Sequence, residues 1–357
     1  MNLHLFYAAV DLRSYPFKGL NVLINPVDSL RNDYSRKTTR RLIEIIRPQN
    51  IMLDSGGNSI FNEEKRDREV LSDPAQPIRV QGKLNLTPDH VLRAAKDFKP
   101  NIIITLDSPL QPMKTSEDKG KEFKRKLKRN IAWAKVIVKS KKRYCPDAHV
   151  LIPIQAKTIA QFEEFMENLS GLRFAGVSIP ARNINPTLLV YILGRLHQLK
   201  VPWVHILGTT CFSYLAVAAY FSRQGYFEIL SMDSSSWKTG ANSGQQWFNP
   251  SHLTGYRLDD KSIIPEGLKN NCKCPFCKDY FFEDIVLDTF SNRSLFLCCH
   301  NAWVTEDVAK EVYRNAKSLH NLEHYIMHRR SPNDHKSEKV IDALYCFENR
   351  NRKFPAN

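Results

Sequence analysis

Short aliphatic runs alternate with longer amphipathic stretches along most of this chain, and that alternation leaves few folds open to it. The runs are Val22–Ile24, Ile51–Leu53, Asn101–Leu106, Val150–Ile152, Ala175–Ile179, Trp203–Leu207 and Glu228–Leu230. Between them, Pro88–Phe98, Thr158–Leu169, Thr187–Leu199 and Ser213–Gly225 carry apolar residues at helical spacing. Thr87-Pro88-Asp89 and Ser213 supply helix-start chemistry, a capping hydroxyl or a proline at the first helical position. Repeated strand–helix units predict an α/β fold with a parallel sheet, either closed into a (β/α)8 TIM barrel or open and doubly wound. No glycine-rich nucleotide-binding pattern follows any run, which disfavours the open form.

Polar groups recur where the runs end: Asp54-Ser55, Asp107-Ser108, Gln155, Ser178, Gly208 and Asp233. In a barrel all strand ends meet on one face, where a site can be assembled from several of them. Ile51-Met-Leu-Asp-Ser-Gly-Gly-Asn58 is the most suggestive of these ends. A buried strand there delivers a carboxylate to the rim, and two glycines permit tight backbone geometry.

Charge narrows the class of partner. The 357 residues carry a formal charge of +15, and an excess of that size points to a polyanion, nucleic acid before a membrane surface. Residues 119–143 are densely basic, with Phe123, Leu127, Ile131, Ala134 and Val138 at helical spacing. They predict a helix with one buried stripe and a cationic exterior, with Lys124, Arg125 and Lys128 as phosphate contacts. Met1-Asn-Leu-His lacks the pattern of a secretory signal. The apolar stretch Val204–Phe221 is interrupted by His205, Gly208, Thr209 and Thr210 and reads as strand, loop and helix, not as a membrane span.

Cys272-Lys-Cys-Pro-Phe-Cys277 places three thiols within six residues. Three thiolates and one imidazole make a closed tetrahedral zinc site, structural because no position is left for water. His300, after a strand-like run at Ser294–Leu297, is the preferred fourth ligand; Cys298, Cys299 and His320 compete with it. Such cysteine usage fits a reducing, cytoplasmic compartment, not a disulfide framework. The expected organisation is a catalytic barrel over 1–260, a zinc-binding subdomain with a returning helix over 261–330, and a polar tail over 331–357.

Together the Asp-Ser-Gly-Gly strand end, the Asp107, Gln155, Gly208 and Met232-Asp233 ends, and Cys-x-Cys-x2-Cys followed by His300-Asn301 resemble the tRNA-guanine transglycosylase superfamily. The resemblance spans roughly residues 50–315. It implies a pentosyltransferase that exchanges guanine in nucleic acid for a 7-deazaguanine. It assigns Asp233 as nucleophile and Asp54 as general acid/base, with Asp107 and Gln155 reading the purine. Ser55, Ser178 and Gly208 would complete the pocket.

After the expected nucleophile the chain reads Ser234-Ser-Ser-Trp-Lys-Thr-Gly240, where the tRNA enzymes carry an arginine-bearing loop, and Asp107 is followed by Ser-Pro in place of Glu. These departures make it similar to the DNA-modifying DpdA branch, which implies insertion of 7-cyano-7-deazaguanine into DNA, with accessory proteins as possible partners. Trp237 and Lys238 would then stack and contact phosphate beside an extruded base. A tRNA enzyme with an unusual anticodon grip is the alternative. A non-catalytic nucleic-acid-binding subunit is a third reading, disfavoured by the presence of both Asp54 and Asp233.

Overall fold

The computed structural model describes residues 3–10, 20–66, 78–80, 84–113, 115–181, 184–258, 272–278, 289–331 and 334–349. Eight parallel strands close into a barrel: β1 (Leu3–Ala8), β2 (Asn21–Ile24), β3 (Ile51–Leu53), β6 (Ile102–Ile104), β7 (His149–Pro153), β8 (Gly176–Pro180), β9 (Trp203–Leu207) and β10 (Ile229–Ser234). β1 pairs with both β2 and β10, bringing Phe6 opposite Asp233 and sealing the cylinder. The expected closed form is therefore the observed one. The sequence reading found seven of these strands and missed β1, whose pairing partner β10 lies more than two hundred residues away.

Alternation along each strand divides two cores. Val204, Ile206, Leu230 and Met232 face outward into the large cluster beneath the helices. Phe6, Leu23, Met52, Ile102, Ile104 and Leu151 fill the barrel interior, with Trp203 and Leu207 packed against them. A period of two then turns His205, Ser231 and Asp233 inward.

The helices that follow the strands are α2 (Asp33–Ile46), α3 (Gly57–Arg66), α4 (Pro88–Phe98), α5 (Ser116–Tyr144), α6 (Ile159–Asn168), α7 (Pro186–Gln198), α8 (Phe212–Arg223) and α9 (Ser236–Gly244), with the short α1 (Pro26–Ser29) after β2. Antiparallel ribbons β4–β5 (Ile78–Val80, Leu84–Leu86) and β11–β12 (Gln246–Phe248, Gly255–Arg257) lie outside the barrel sheet. Thr87 caps α4 by backbone position, with Pro88 in its first turn, but makes no side-chain capping bond. α8 begins behind Cys211 in place of the expected Ser213.

Three expectations need correction. Ser294–Leu297 is not a strand but the first turns of α10 (Phe290–Asn315); a four-residue apolar run fits a strand and a buried helix equally well. The stretch 331–357, expected as a polar tail, contains α12 (His335–Glu348). Its buried Val340, Ile341, Ala343 and Leu344 pack in the main core beside α11 (Leu319–Arg329). Helix α5 does bury Phe123, Leu127, Ile131 and Ala134, but its cations are not all exterior: Lys126 and Arg129 are buried as well. No helix among the described residues is long and apolar enough to cross a membrane.

Candidate active site and metal centre

The strand ends converge as a barrel requires. Asp54, Ser55, Asp107, Gln155, Gly208 and Asp233 all line one cavity of about 720 Å³, a size suited to a small molecule or a single extruded base. Each is delivered differently. Asp54 follows β3, its backbone N–H held by the Ile24 carbonyl at 2.8 Å. Its Oδ1 accepts from the Ser55 N–H at 2.8 Å, and the Ser55 hydroxyl accepts in turn from the Gly57 N–H at 3.0 Å. Gly57 is required for packing: a Cβ there would lie 2.3 Å from Asp107 Oδ1.

Asp107 is buried and accepts a hydrogen bond from the Gln155 amide on Oδ2. Its Oδ1 accepts none from the described residues, so a ligand N–H is the natural partner for it. Behind it, buried Lys126 contacts the Ser108 hydroxyl and lies 3.9 Å from Glu122, while Asn130 accepts from the Ser108 N–H at 2.8 Å. Sequence reading assigned Lys126 to the helix exterior and so missed a cation that supports this carboxylate. Burial raises the Asp107 pKa, against the lowering influence of Ser55, Gln155 and Lys126.

Asp54 is pushed up to about 7, chiefly by removal from water and then by the negative charges of Asp233 and Asp107. A carboxyl group poised there can both give and take a proton near neutrality. The same shift has a stability consequence. Unfolded Asp54 ionises near 3.8 and folded Asp54 near 7, so its contribution to stability is lost as pH rises from about 4 to 7. Asp54→Asn should therefore be more stable than the parent at pH 8, by about 1–4 kcal/mol, with the gain vanishing below pH 4. Denaturant unfolding at the two pH values checks this; a pH-independent difference would contradict it.

Asp233 is 4% exposed. Its Oδ1 accepts from the Gly208 N–H at 2.7 Å and lies 3.1 Å from His205 Nε2. Gly208 has φ +83, the left-handed region that favours glycine. His205 was not among the residues singled out from sequence. Its inward position on β9 was available from strand alternation, but its partner was not.

Other expected residues lie elsewhere. Ser178 is absent from the cavity lining: its carbonyl accepts from the Ile154 N–H at 2.8 Å, and its buried hydroxyl makes no hydrogen bond among the described residues. Trp237 is no stacking platform. It is 1% exposed, donates Nε1–H to the Ala8 carbonyl at 3.2 Å and meets Tyr7 edge-on, because α9 folds its apolar face onto the barrel. Lys238 Nζ donates to the Ala9 carbonyl at 2.8 Å. Arg125 is half-buried and ion-paired with Glu122, and exposed Lys124 pairs with Glu164; Lys128 is exposed.

The metal centre is assembled from Cys272, Cys274, Cys277 and His300, whose ligand atoms all lie within 4.8 Å of one another. The three sulfurs stand 3.7, 3.2 and 3.2 Å from His300 Nδ1. Tetrahedral zinc with ordinary bond lengths would set sulfur and nitrogen roughly 3.5 Å apart, so the cage fits such an ion. His300 Nε2 faces the Phe248 carbonyl at 2.9 Å, which directs its N–H there and leaves the Nδ1 lone pair for metal. Trp247 stacks on the same ring at 4.9 Å. Of the competing ligands, Cys298 and Cys299 are buried outside the cluster and His320 is exposed on α11. Neighbouring Asn301 donates to the Trp237 and Gln246 carbonyls and accepts from the Phe248 N–H, tying the centre to the helix after Asp233.

Residues 29–186 match the TGT family, queuine tRNA-ribosyltransferase. The match supports the tRNA-guanine transglycosylase superfamily. It takes in Asp54, Asp107 and Gln155 and ends before β9, so Gly208, Asp233 and the metal cage stand beyond it. A search among curated proteins returns no match.

Proposed function

We propose that this chain is a DNA guanine transglycosylase that exchanges guanine for a 7-deazaguanine, 7-cyano-7-deazaguanine in the reading favoured above, with zinc in the Cys3His cage. The observation that carries it is the convergence of Asp54, Asp107, Gln155 and Asp233 on one cavity with Asp54 held near neutrality. An Asp233 oxygen attacks C1′ of the target nucleoside, and the C1′–N9 bond breaks with its electron pair leaving on guanine. Asp54 gives guanine a proton. It then takes one from the incoming base, whose nitrogen displaces Asp233 from C1′ and restores the carboxylate. Asp107 Oδ1 accepts the purine N1–H or amino group, and the Gln155 amide orients the neighbouring carboxylate oxygen.

A tRNA substrate is the second reading, supported by the name of the matched family. Incubation with labelled guanine and either duplex DNA or tRNA separates the two. Label in DNA supports the proposal; label in tRNA alone replaces it with the second reading.

Lys121, Lys124, Lys128, Lys135, Lys139 and Lys142 are all exposed and recur along one face of α5. Lys121 and Lys124 are partly neutralised by Glu117 and Glu164. Replacing Lys128, Lys135 and Lys139 with glutamine should flatten the dependence of log binding constant on log salt by roughly two to three, near one for each phosphate contact. An unchanged slope, measured by titration at several salt concentrations, would return the helix to ordinary solvated surface.

A further inference from the structure

Behind the cavity lining, against Asp233, stands a titratable side chain for which base exchange, as proposed, has no use. His205 is fully buried, with Nε2 3.1 Å from Asp233 Oδ1 and Nδ1 2.9 Å from the Ser231 hydroxyl. Phe6 meets its ring edge-on with centroids 6.0 Å apart, so the imidazole is held in plane as well as at both ends.

The direction of these hydrogen bonds follows from the next residue along. Trp203 Nε1 lies 3.0 Å from the same Ser231 oxygen, and an indole nitrogen can only donate. Ser231 therefore accepts from Trp203. Its own proton is left with one other neighbour among its hydrogen-bond partners, His205 Nδ1. Because Ser231 is fully buried, leaving that proton unused would cost the full desolvation of a donor. An Nδ1 that accepts places the ring proton on Nε2, aimed at Asp233. The opposite tautomer would set two lone pairs against each other at Nε2 and Oδ1 and strand the serine proton.

We propose that His205 is a positioning residue for the nucleophile, held as its Nε2–H tautomer by Trp203 and Ser231. With the Gly208 N–H it puts two donors on Asp233 Oδ1. Oδ2 accepts no hydrogen bond from the described residues and is left as the oxygen that bonds C1′. The inference rests on Asp233 being the nucleophile, and assigns which of its oxygens reacts and what aims it. Two donors on one oxygen also draw charge toward it, so the clamp acts by fixing the carboxylate plane, not by strengthening the attacking atom.

Single-turnover formation of the covalent adduct tests this, beside ¹⁵N spectra of the histidine rings. His205→Leu should slow adduct formation roughly 10–100-fold, the worth of a hydrogen bond to a charged group, with KM for the polymer unchanged. His205→Gln, which can return an amide N–H to the carboxylate, should recover most of the rate. Ser231→Ala leaves the imidazole in place and should release its tautomer, so that the Nε2–H pattern expected of His205 in the parent gives way to a mixture.

A parent spectrum with His205 protonated on Nδ1, or wild-type adduct formation in His205→Leu, overturns the proposal. So does an equal loss in the leucine and glutamine variants. Should the leucine variant not fold, the parent and Ser231→Ala spectra decide. Failure of the underlying reading has a separate signature, since Asp233→Ala would then still form the adduct.

Discussion

Asp233→Ala should abolish base exchange and the covalent adduct together. Removing a nucleophile that forms a bond to substrate commonly removes a factor of about 10⁴ or more in turnover. Here no described carboxylate stands ready to replace it. In the proposed mechanism Asp54 is committed to proton transfer, and Asp107 is held by the Gln155 amide. The variant should fold, because the removal of a buried charge offsets the cost of leaving the Gly208 N–H and the His205 ring without their partner. Denaturing electrophoresis of enzyme trapped on its polymer, together with uptake of labelled guanine, checks both halves. Exchange at a rate near the parent's would remove Asp233 as nucleophile. Binding of the polymer should change little, since its affinity lies mainly in phosphate contacts.

The second large effect concerns the metal cage. Three thiols and an imidazole drawn within 4.8 Å repel one another once the thiols ionise, and a divalent cation converts that repulsion into binding energy that is also folding energy. Cys274→Ser, or treatment with a strong chelator, should lower stability by about 3 kcal/mol or more, on the order of 5–10 °C in Tm. Metal analysis should find one zinc per chain in the parent and none in the variant. Activity should fall as well, although the cage does not line the cavity. Asn301, next to the ligand His300, hydrogen-bonds the Trp237 carbonyl at 3.1 Å, and Trp237 braces the segment that follows Asp233. A variant that loses metal yet keeps parental Tm and rate would show the cage to be ornamental to this fold.

Much of the site was legible because its signals are local. A run such as Ile51-Met-Leu ending in Asp54-Ser55 announces a strand and what it delivers, and cysteine spacing announces a cage before any coordinates exist. What was misread depended on partners remote in sequence. Trp237 looked like an exposed aromatic on a polar loop, but Tyr7 and the Ala8 carbonyl, more than two hundred residues earlier, bury it. Lys126 sits in a run of cations whose pattern predicts solvent. Only the packing of α5 over the Ser108 turn turns it inward beneath Asp107. Ser178 shared a strand-end pattern with the true lining residues, yet its depth along β8 leaves its hydroxyl below the cavity.

By itself the sequence determined the repeating strand–helix unit, the identity of the carboxylates at the strand ends and the three clustered thiols, with His300 only the preferred fourth ligand, because periodicity and spacing are properties of neighbouring residues. Closure of the barrel through β1, the upward shift of Asp54 and the Trp203–Ser231–His205 chain that aims Asp233 were decided only in three dimensions. Each requires groups from separate strands to share one dry interior, where charges feel one another and every buried proton must find an acceptor.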